Sequence, residues 1–253
     1  MRIASLSPAA TEILFALGCQ RQIVCVDQFS NWPAEAKNIA HVMGHQTVDS
    51  EKLRTHLPDL ILTATVIQRQ LAADLRAAGF SVLHQDPRTL RDVESCMREI
   101  AVFLDKQEEG EALCLTFRSL LNDVKKKAAL LPRRPRVYVE EWHDPPMASG
   151  NWVPELVRIA GGDPFPIPPG ELSRSVTFEE VRGFDPDLIV ISWCGAGSLA
   201  DPNLLLDRSG WSNLRAVQTK KVRVIDDAFL NRPGPRLPEG AQRLYGWLFE
   251  LTH

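Results

Sequence analysis

The chain has 253 residues, of which 44% are hydrophobic and 24% charged, the balance of a folded globular protein. The net charge of -3 comes without an acidic or basic tail, so nothing indicates binding to nucleic acid or to an anionic membrane. No apolar run approaches the roughly 20 residues that a membrane-spanning helix needs, so membrane insertion is not expected. The length is sufficient for two domains of ordinary size.

The N-terminal residues and the cysteines indicate the cellular compartment in which the protein works. The chain runs straight into a predicted strand, without the charged, apolar and small-residue regions of a secretory signal. The sequence as it stands therefore predicts a cytoplasmic location, or a periplasmic one if an export signal was removed. Cysteines without the spacing of a zinc site are expected to be small buried thiols. They number five: Cys19, Cys25, Cys96, Cys114 and Cys194.

Short apolar runs alternate with amphipathic helical patterns along the whole chain. Several of the runs are continuously apolar, as strands buried on both faces of a parallel sheet should be. The predicted fold class is therefore α/β, with parallel sheets covered by helices. Seven strands are predicted, at residues 3–5, 23–26, 60–63, 81–84, 136–139, 188–192 and 222–225.

The first helix has clear end signals. Ser7 is expected to cap its N-terminus with a side-chain hydrogen bond, and Pro8 fits the first helical position, where no N–H is needed. Gly18 is expected to end the helix in the left-handed conformation.

Two segments of the first half have counterparts in the second half. Residues 154–161 are similar to residues 11–18, and residues 178–189 match residues 50–61. In the second pair a glutamate, Glu51 or Glu179, begins a short helix that a Pro-Asp turn ends before an apolar strand. Two related substructures are the simplest account of this pattern.

A long helix is predicted between the two halves. Residues 105–129 contain one glycine and no proline, and their apolar residues follow helical spacing. Such a helix is about 35 Å long, enough to connect two lobes. The predicted organisation is an N-terminal lobe at 1–104, a linker helix at 105–131 and a C-terminal lobe at 132–253.

Candidate ligand-binding residues follow from the rule that ligands of open parallel sheets lie beyond the carboxyl ends of the strands. Three tryptophans fall near strand ends, where a flat apolar ligand is a natural partner for an indole, although each tryptophan is also able to pack within its own lobe. His45 is a further candidate, in the loop before the Glu51 helix. The residues at strand ends are Phe29, Trp32, Thr65, Trp142, His143, Trp193, Asp227 and Phe229.

One cluster offers an enzymatic alternative. Glu141, His143 and Asp144 lie together and are compatible with a metal-dependent hydrolase. A nucleophile elbow, an HExxH motif and a phosphate-binding glycine loop are all missing, so an enzyme is not expected. His41 and His45 are four residues apart but have no third ligand nearby, so no metal site is expected either.

Several motifs resemble one known family. Residues 2–12 (RIASLSPAATE), 29–33 (FSNWP), 145–150 (PPMASG) and the repeated Glu…Pro-Asp blocks resemble the cobalamin-, haem- and siderophore-binding proteins of ABC importers, above all the cobalamin-binding members. The resemblance implies two Rossmann-like lobes joined by one long helix, with a ligand cleft between them. It implies a non-catalytic monomer without a cofactor, whose ligand is a corrinoid or a similar metal chelate. By motif position, Glu51 and Glu179 would dock into arginine pockets of a permease.

The chain also departs from this family. His45 and Ala64 or Thr65 occupy positions where cobalamin-binding members carry aromatic side chains. Other candidates keep their predicted roles, with Asp227 as a polar contact and four aromatic residues as stacking groups: Phe29, Trp32, Trp142 and Phe229. Two alternatives stay open, a cytoplasmic carrier or sensor of a chelate and a module that has lost its small ligand and binds a partner.

Overall fold

The computed structural model describes residues 1–253, which divide into two compact units. The first unit comprises Met1–Pro87, Arg91–Leu115 and Pro233–Pro235, and the remaining residues form the second. The predicted division at 104/105 and 131/132 stays a prediction. None of the helices combines the length with the apolar composition that crossing a bilayer requires.

The first unit is built on a five-stranded parallel sheet in the order β3-β2-β1-β4-β5. The long helix α5 agrees with the one predicted between the halves, is roughly 33 Å long, and gives residues to both units. The elements in chain order are β1 Ile3–Ser5, α1 Pro8–Ala16, β2 Ile23–Asp27, β3 His41–Val42, α2 Ser50–Thr55, β4 Leu60–Ala64, α3 Arg69–Ala77, β5 Val82–Gln85, α4 Leu90–Phe103 and α5 Gln107–Ala128.

The first helix follows its sequence signals with one exception. Pro8 opens α1 and Gly18 ends it with φ of 72°, as predicted. The hydroxyl of Ser7 makes no capping hydrogen bond, so that prediction was wrong. Proline at the first helical position removes one N–H that needs a partner, and the helix forms without the side-chain cap.

The second unit holds a six-stranded mixed sheet, in which β11, β10, β6, β7 and β9 lie side by side and β8 pairs with β6. Its elements are β6 Arg136–His143, β7 Pro146–Ala148, α6 Val153–Ile159, β8 Asp163–Pro164, β9 Arg174–Ser175, α7 Phe178–Phe184, β10 Leu188–Ile191, α8 Asn203–Leu206, α9 Arg215–Gln218, β11 Val222–Val224 and α10 Leu237–Thr252.

The predicted α/β fold class is confirmed, and the sheet of the second unit adds antiparallel pairs to its parallel ones. Strand β7 is antiparallel to both of its neighbours, β6 and β9, because β6 continues to His143 and the chain turns back directly into β7 at Pro146. An antiparallel pair needs only a short hairpin, whereas a parallel pair needs a crossover connection. The longer β6 also places Trp142 and His143 inside a strand, not after it.

Each unit has its own apolar core. In the first, Leu6, Cys25 and Leu53 are among the buried residues that cover the sheet, and in the second Tyr138 and Trp211 are. Cys194 is exposed, against the expectation of a buried thiol. The other four cysteines are buried as expected: Cys19, Cys25, Cys96 and Cys114.

The repeated Pro-Asp turns make the same contacts in both units. Oδ2 of Asp59 accepts from the Arg2 N–H at 2.6 Å, and the Asp59 N–H donates to the Arg2 oxygen at 2.8 Å. Asp187 forms the same two bonds with Arg136, at 2.7 and 2.8 Å. Burial alone would raise the pKa of Asp187, but the Arg136 N–H and the Arg215 guanidinium outweigh it and lower the pKa. Each aspartate thus fixes the start of its strand against the neighbouring strand.

Candidate functional site

The candidate residues of the first unit lie at the carboxyl ends of its strands. Asp27 is the last residue of β2 and is buried, whereas Phe29 and Trp32 lie in the following loop and are exposed, Trp32 to 47%. In the order β3-β2-β1-β4-β5, the chain connections leave β1 and β4 in opposite directions. The edge beside these two strands is the topological switch point, where α/β proteins commonly bind ligands.

His45 lies on this edge and contacts two buried side chains. Its Nδ1 is 3.1 Å from Oδ2 of Asp27, and Nε2 of Gln68 donates to its main-chain oxygen at 2.9 Å. Phe29 packs edge-on against the imidazole, with the ring centroids 5.4 Å apart. The imidazole is partly exposed. The structure therefore brings together Phe29 and His45, two of the predicted binding residues.

Gln68 joins the strand ends to the His45 loop. Its amide nitrogen donates to the Leu6 oxygen at 2.6 Å, and its Oε1 accepts from the Ala64 N–H at 2.8 Å. Leu6 follows β1 and Ala64 ends β4, so one buried amide connects both strands of the switch point with His45. Gln68 was not among the predicted binding residues, and its position shortly after β4 was the only signal for it.

A line of buried hydroxyl groups leads from Asp27 into the unit. Ser30 donates to Oδ1 of Asp27 at 2.5 Å, the Ser30 and Thr11 hydroxyls are 2.8 Å apart, and the Thr11 and Ser5 hydroxyls are also 2.8 Å apart. The Asp27 carboxylate therefore has a partner on each oxygen, Ser30 on one and His45 on the other. A connected network of this kind fixes the orientation of its members.

Thr65 lies on the same edge with an unusual backbone. Its φ of 66° is in a region that β-branched residues rarely adopt. The Thr65 N–H donates to the Gln85 oxygen at 2.7 Å, and its own oxygen accepts from the Gln68 N–H at 3.1 Å. Strain of this kind persists only where the surroundings fix it, often at functional sites. A ligand contact by Thr65 stays a prediction.

In the second unit, a buried ion pair lies under the end of β6. Glu140 is fully buried and accepts two hydrogen bonds from the Arg208 guanidinium, at 2.7 and 2.9 Å. The Tyr138 hydroxyl and the Trp193 indole N–H each donate to the same carboxylate at 2.9 Å. Burial raises the pKa of Glu140, against the lowering effect of Arg208. Sequence reasoning missed Arg208, because no local signal links residues this far apart.

The predicted residues Trp142 and His143 stand beside this ion pair. Trp142 is 40% exposed, and its indole N–H donates to the Asp144 oxygen at 2.9 Å. The imidazole of His143 lies between two indoles, with centroid distances of 5.4 Å to Trp142 and 5.0 Å to Trp193. Arg208 donates to the main-chain oxygen of His143 as well as to Glu140. One guanidinium therefore binds two points of the strand that presents Trp142, the Glu140 carboxylate and the His143 main chain.

Three other candidates of the second unit are buried. Trp193 is only 3% exposed and packs in the apolar core, so it offers little surface to a ligand in this structure. Phe229 lies under the guanidiniums of Arg236 and Arg243, 4.4 and 4.2 Å from its centroid. Asp227 accepts from the Gly197 N–H at 3.1 Å, and burial raises its pKa. Ligand contacts by these three residues stay predictions.

Glu141, His143 and Asp144, the cluster that suggested a hydrolase, do not form a metal site. Glu141 accepts a hydrogen bond from the Ser173 hydroxyl, and burial raises its pKa. No group of three or more potential ligands is placed to hold a metal ion. Nδ1 of His41 contacts the main-chain oxygen of Asp27 at 3.1 Å.

The two glutamates of the repeated helices are exposed. The side chain of Glu51 is 83% exposed and that of Glu179 is 64% exposed. Each is the second residue of its helix and forms an ion pair with the arginine three residues later, Arg54 or Arg182. The repeat therefore places a carboxylate with the same local environment on the surface of each unit.

Comparison with known sequences extends over almost the whole chain. Residues 3–229 match the family described as periplasmic binding protein. The vitamin B12-binding protein of Vibrio cholerae serotype O1 is 30% identical over an alignment of 258 residues that covers 98% of this chain and 88% of the relative. The vitamin B12-binding protein of Pectobacterium atrosepticum is 27% identical and covers 99% of this chain.

Solved structures share the fold. The periplasmic vitamin B12 binding protein of Vibrio cholerae superposes with a TM-score of 0.80 at 28% identity, covering 99% of this chain and 97% of the other. The apo periplasmic heme-binding protein of Roseiflexus sp. RS-1 superposes with a TM-score of 0.87 at 22% identity, covering 100% and 99%. None of these matches favours the hydrolase alternative.

Proposed function

Because the chain belongs to the periplasmic binding protein family, we propose that it binds a corrinoid, a cobalt chelate of the vitamin B12 class, as the substrate-binding component of an ABC importer. It is a binding protein and not an enzyme. Its cargo is the metal chelate, and the chain needs no cofactor of its own. The expectation of a monomer stays a prediction.

The exposed aromatic surface at the strand ends carries this proposal. A corrin ring is flat, and its apolar faces pack favourably on indole and phenyl rings. Trp142 offers such a surface on the second unit, and Phe29 and Trp32 offer it on the first. The hydrogen bond from Trp142 to Asp144 holds the indole in one orientation, so little side-chain entropy is lost when a ligand packs against it.

Calorimetric titration with cyanocobalamin and with cobinamide tests the corrinoid assignment. We expect saturable binding near one ligand per chain. Trp142→Ala should weaken the affinity about tenfold, a loss of about 1.4 kcal/mol of binding free energy. Phe249→Ala, which removes an exposed aromatic ring of α10, should leave the affinity unchanged. Absence of binding by either corrinoid would contradict the proposal, and binding of haemin alone would assign the site to haem.

We also propose that Glu51 and Glu179 dock the chain onto its permease. Two exposed carboxylates on separate units would provide a salt-sensitive and orientation-specific contact with basic residues. Docking would break the ion pairs of these glutamates with Arg54 and Arg182. This costs little, because an exposed ion pair contributes about 0–1 kcal/mol to stability. Such a contact needs the chain outside the cytoplasmic membrane, so we propose a periplasmic location, like that of the periplasmic vitamin B12 binding protein of Vibrio cholerae.

The docking proposal predicts a loss of transport without a loss of ligand binding. The double variant Glu51→Gln/Glu179→Gln should take up far less corrinoid with the permease in vesicles, and its ligand affinity should equal that of the wild type. Glu108→Gln, on the exposed first turn of α5, serves as the control. Wild-type uptake by the double variant, or recovery of the chain from the cytosol of fractionated cells, would argue against this role.

A further inference from the structure

Strand β6 has one residue more than β7 at the place where the two strands pair beside the site. Glu140 lies opposite Ala148. The next pair joins Trp142 to Met147, so β6 advances by two residues while β7 advances by one. The extra residue, Glu141, forms a β-bulge, which bends a strand and changes the direction of the side chains that follow. Trp142, with its exposed indole, is the first residue after this bulge.

The guanidinium of Arg208 binds β6 on both sides of the bulge. Before the bulge, it donates two hydrogen bonds to the Glu140 carboxylate, at 2.7 and 2.9 Å. After the bulge, it donates to the main-chain oxygen of His143 at 2.5 Å. The donors of an arginine lie in one rigid plane, so they hold the groups they bind in a fixed geometry. Arg208 therefore fixes the two ends of a segment whose own ladder of hydrogen bonds is interrupted.

The bulged residue is held by neighbours as well. The Glu141 oxygen accepts from the Cys194 N–H at 3.1 Å, and the Glu141 carboxylate accepts from the Ser173 hydroxyl at 2.5 Å. The main chain and the side chain of the extra residue thus each have a partner in the second unit. Bulges with a fixed conformation are found next to binding sites, where they aim a side chain.

The Glu140 carboxylate also orients the aromatic side chains beside Trp142. Trp193 is buried and donates its indole N–H to this carboxylate at 2.9 Å. The imidazole of His143 lies between the two indoles, 5.0 Å from Trp193 and 5.4 Å from Trp142. The buried ion pair is therefore linked to the exposed indole in two ways, through the main chain of β6 and through a series of three aromatic rings.

Stability alone does not account for a buried ion pair at this place. Removing two charges from water costs about as much as their attraction returns, so apolar residues of similar size often serve equally well. Orientation is a different matter, because the groups of a binding site have to be held to within about 0.5 Å by packed and hydrogen-bonded neighbours. The ion pair of Arg208 and Glu140 lies at the bulge that precedes Trp142, where control of orientation has an effect on the ligand.

We propose that Arg208, through Glu140 and the bulge of β6, is a positioning residue for ligand binding that sets the direction in which Trp142 faces the corrin ring. This inference rests on the proposed corrinoid-binding function and adds to it a residue that does not touch the ligand. An indole that is already oriented loses less entropy when the ligand packs against it. The contribution of Arg208 to the affinity should therefore disappear when Trp142 is absent.

A double-mutant cycle with cyanocobalamin, measured by calorimetry on the full chain, tests this dependence. Arg208→Lys keeps a positive charge beside Glu140 but lacks the planar group that spans the bulge. It should weaken the affinity about fivefold, less than the about tenfold expected for Trp142→Ala. In the Trp142→Ala background the same substitution should change nothing. The matched control is Arg215→Lys, which alters a guanidinium bound to two aspartates elsewhere in the second unit and should leave the affinity unchanged.

The NMR signals of the indole N–H groups report the orientation without any ligand. The Trp142 signal should shift in Arg208→Lys, and the signal of Trp152, a buried indole of the same unit, should not. Circular dichroism shows whether each variant is folded. Glu140→Gln removes the charge that the guanidinium binds, so it is a second variant with the same expected loss of affinity and the same dependence on Trp142.

The outcomes separate this inference from the function on which it rests. Wild-type affinity in Arg208→Lys, together with an unchanged Trp142 signal, would overturn the positioning role. An equal loss of affinity with and without Trp142 would also overturn it, because such a loss indicates general damage to the unit. Both results leave corrinoid binding intact, whereas absence of binding heat in the wild type would overturn both. A loss confined to chains that keep Trp142, with a shift of its indole signal, would establish the role.

Discussion

Arg208→Met is expected to lower the free energy of unfolding by about 3–5 kcal/mol, the cost of leaving one charge of a buried ion pair without its partner. Glu140 is fully buried and receives two of its four hydrogen bonds from Arg208. Methionine retains much of the aliphatic packing against Trp211, over which the guanidinium lies at 4.7 Å. The decrease in the free energy of unfolding, measured by denaturant unfolding, should therefore come from the lost charge and its hydrogen bonds and not from lost packing.

Two companion variants show whether the buried charge is the cause. Glu140→Gln in the Arg208→Met background removes the charge left behind, so the double variant should recover part of the lost stability. Arg182→Met breaks the exposed pair with Glu179 and should cost no more than about 1 kcal/mol. An Arg208→Met chain as stable as the Arg182→Met chain would contradict the argument.

Gly44→Ala is expected to displace the His45 loop. Gly44 has φ of 104°, and an added Cβ would lie 1.9 Å from the main-chain oxygen of Thr47, so the backbone must move. Gly79 has a similar φ of 86°, but an added Cβ there would meet no atom within 4 Å. Gly79→Ala should therefore cost only the conformational strain of about 1–2 kcal/mol, and Gly44→Ala should cost clearly more.

The two glycine variants separate strain from displacement. Denaturant unfolding gives the stability of each, and the NMR signal of the imidazole N–H of His45 reports its bond to Asp27. We expect this signal to be lost in Gly44→Ala and kept in Gly79→Ala. Equal stabilities together with an unchanged imidazole signal in both variants would show that the Thr47 backbone is not a barrier.

The strands were predictable where hydrophobic pattern decides the structure. All seven predicted strands occur, because each contains apolar residues over the length of a strand, and most of these residues are buried in the sheets. The strands that escaped prediction, β3, β7, β8 and β9, have two or three residues each, too few to show a pattern. Pairing with a longer neighbour stabilises such short strands, and the local sequence does not record that neighbour.

The end of β6 shows why the site was harder to predict than the fold. The strand was predicted to end at Val139, and the structure extends it through Glu140, a residue type that is seldom fully buried unless it is paired. Burial is possible because Arg208, Tyr138 and Trp193 all bind its carboxylate. Their coming together depends on the tertiary fold, and the same fact explains why Trp193 is in the core and not on the surface.

The residues around His45 were predictable only as single candidates. Sequence position placed Phe29 and Thr65 near strand ends and His45 in the loop before the Glu51 helix, as the structure finds them. The pairing of His45 with Asp27, and the role of Gln68 in joining both to β1 and β4, depend on parallel strands from distant parts of the chain.

The paired hydrogen bonds of Asp59 and Asp187 fix the register at which the following strand begins in each unit. Thr65 is six residues beyond Asp59, and Trp193 is six residues beyond Asp187, so the two follow the carboxyl ends of equivalent strands at the same sequence distance. Inserting or deleting one residue in between would turn every following side chain to the other face. A substitution leaves this register unchanged. The residue at this position is therefore able to differ between the units, a strained threonine in one and a buried tryptophan in the other, while the strand before it keeps the same register.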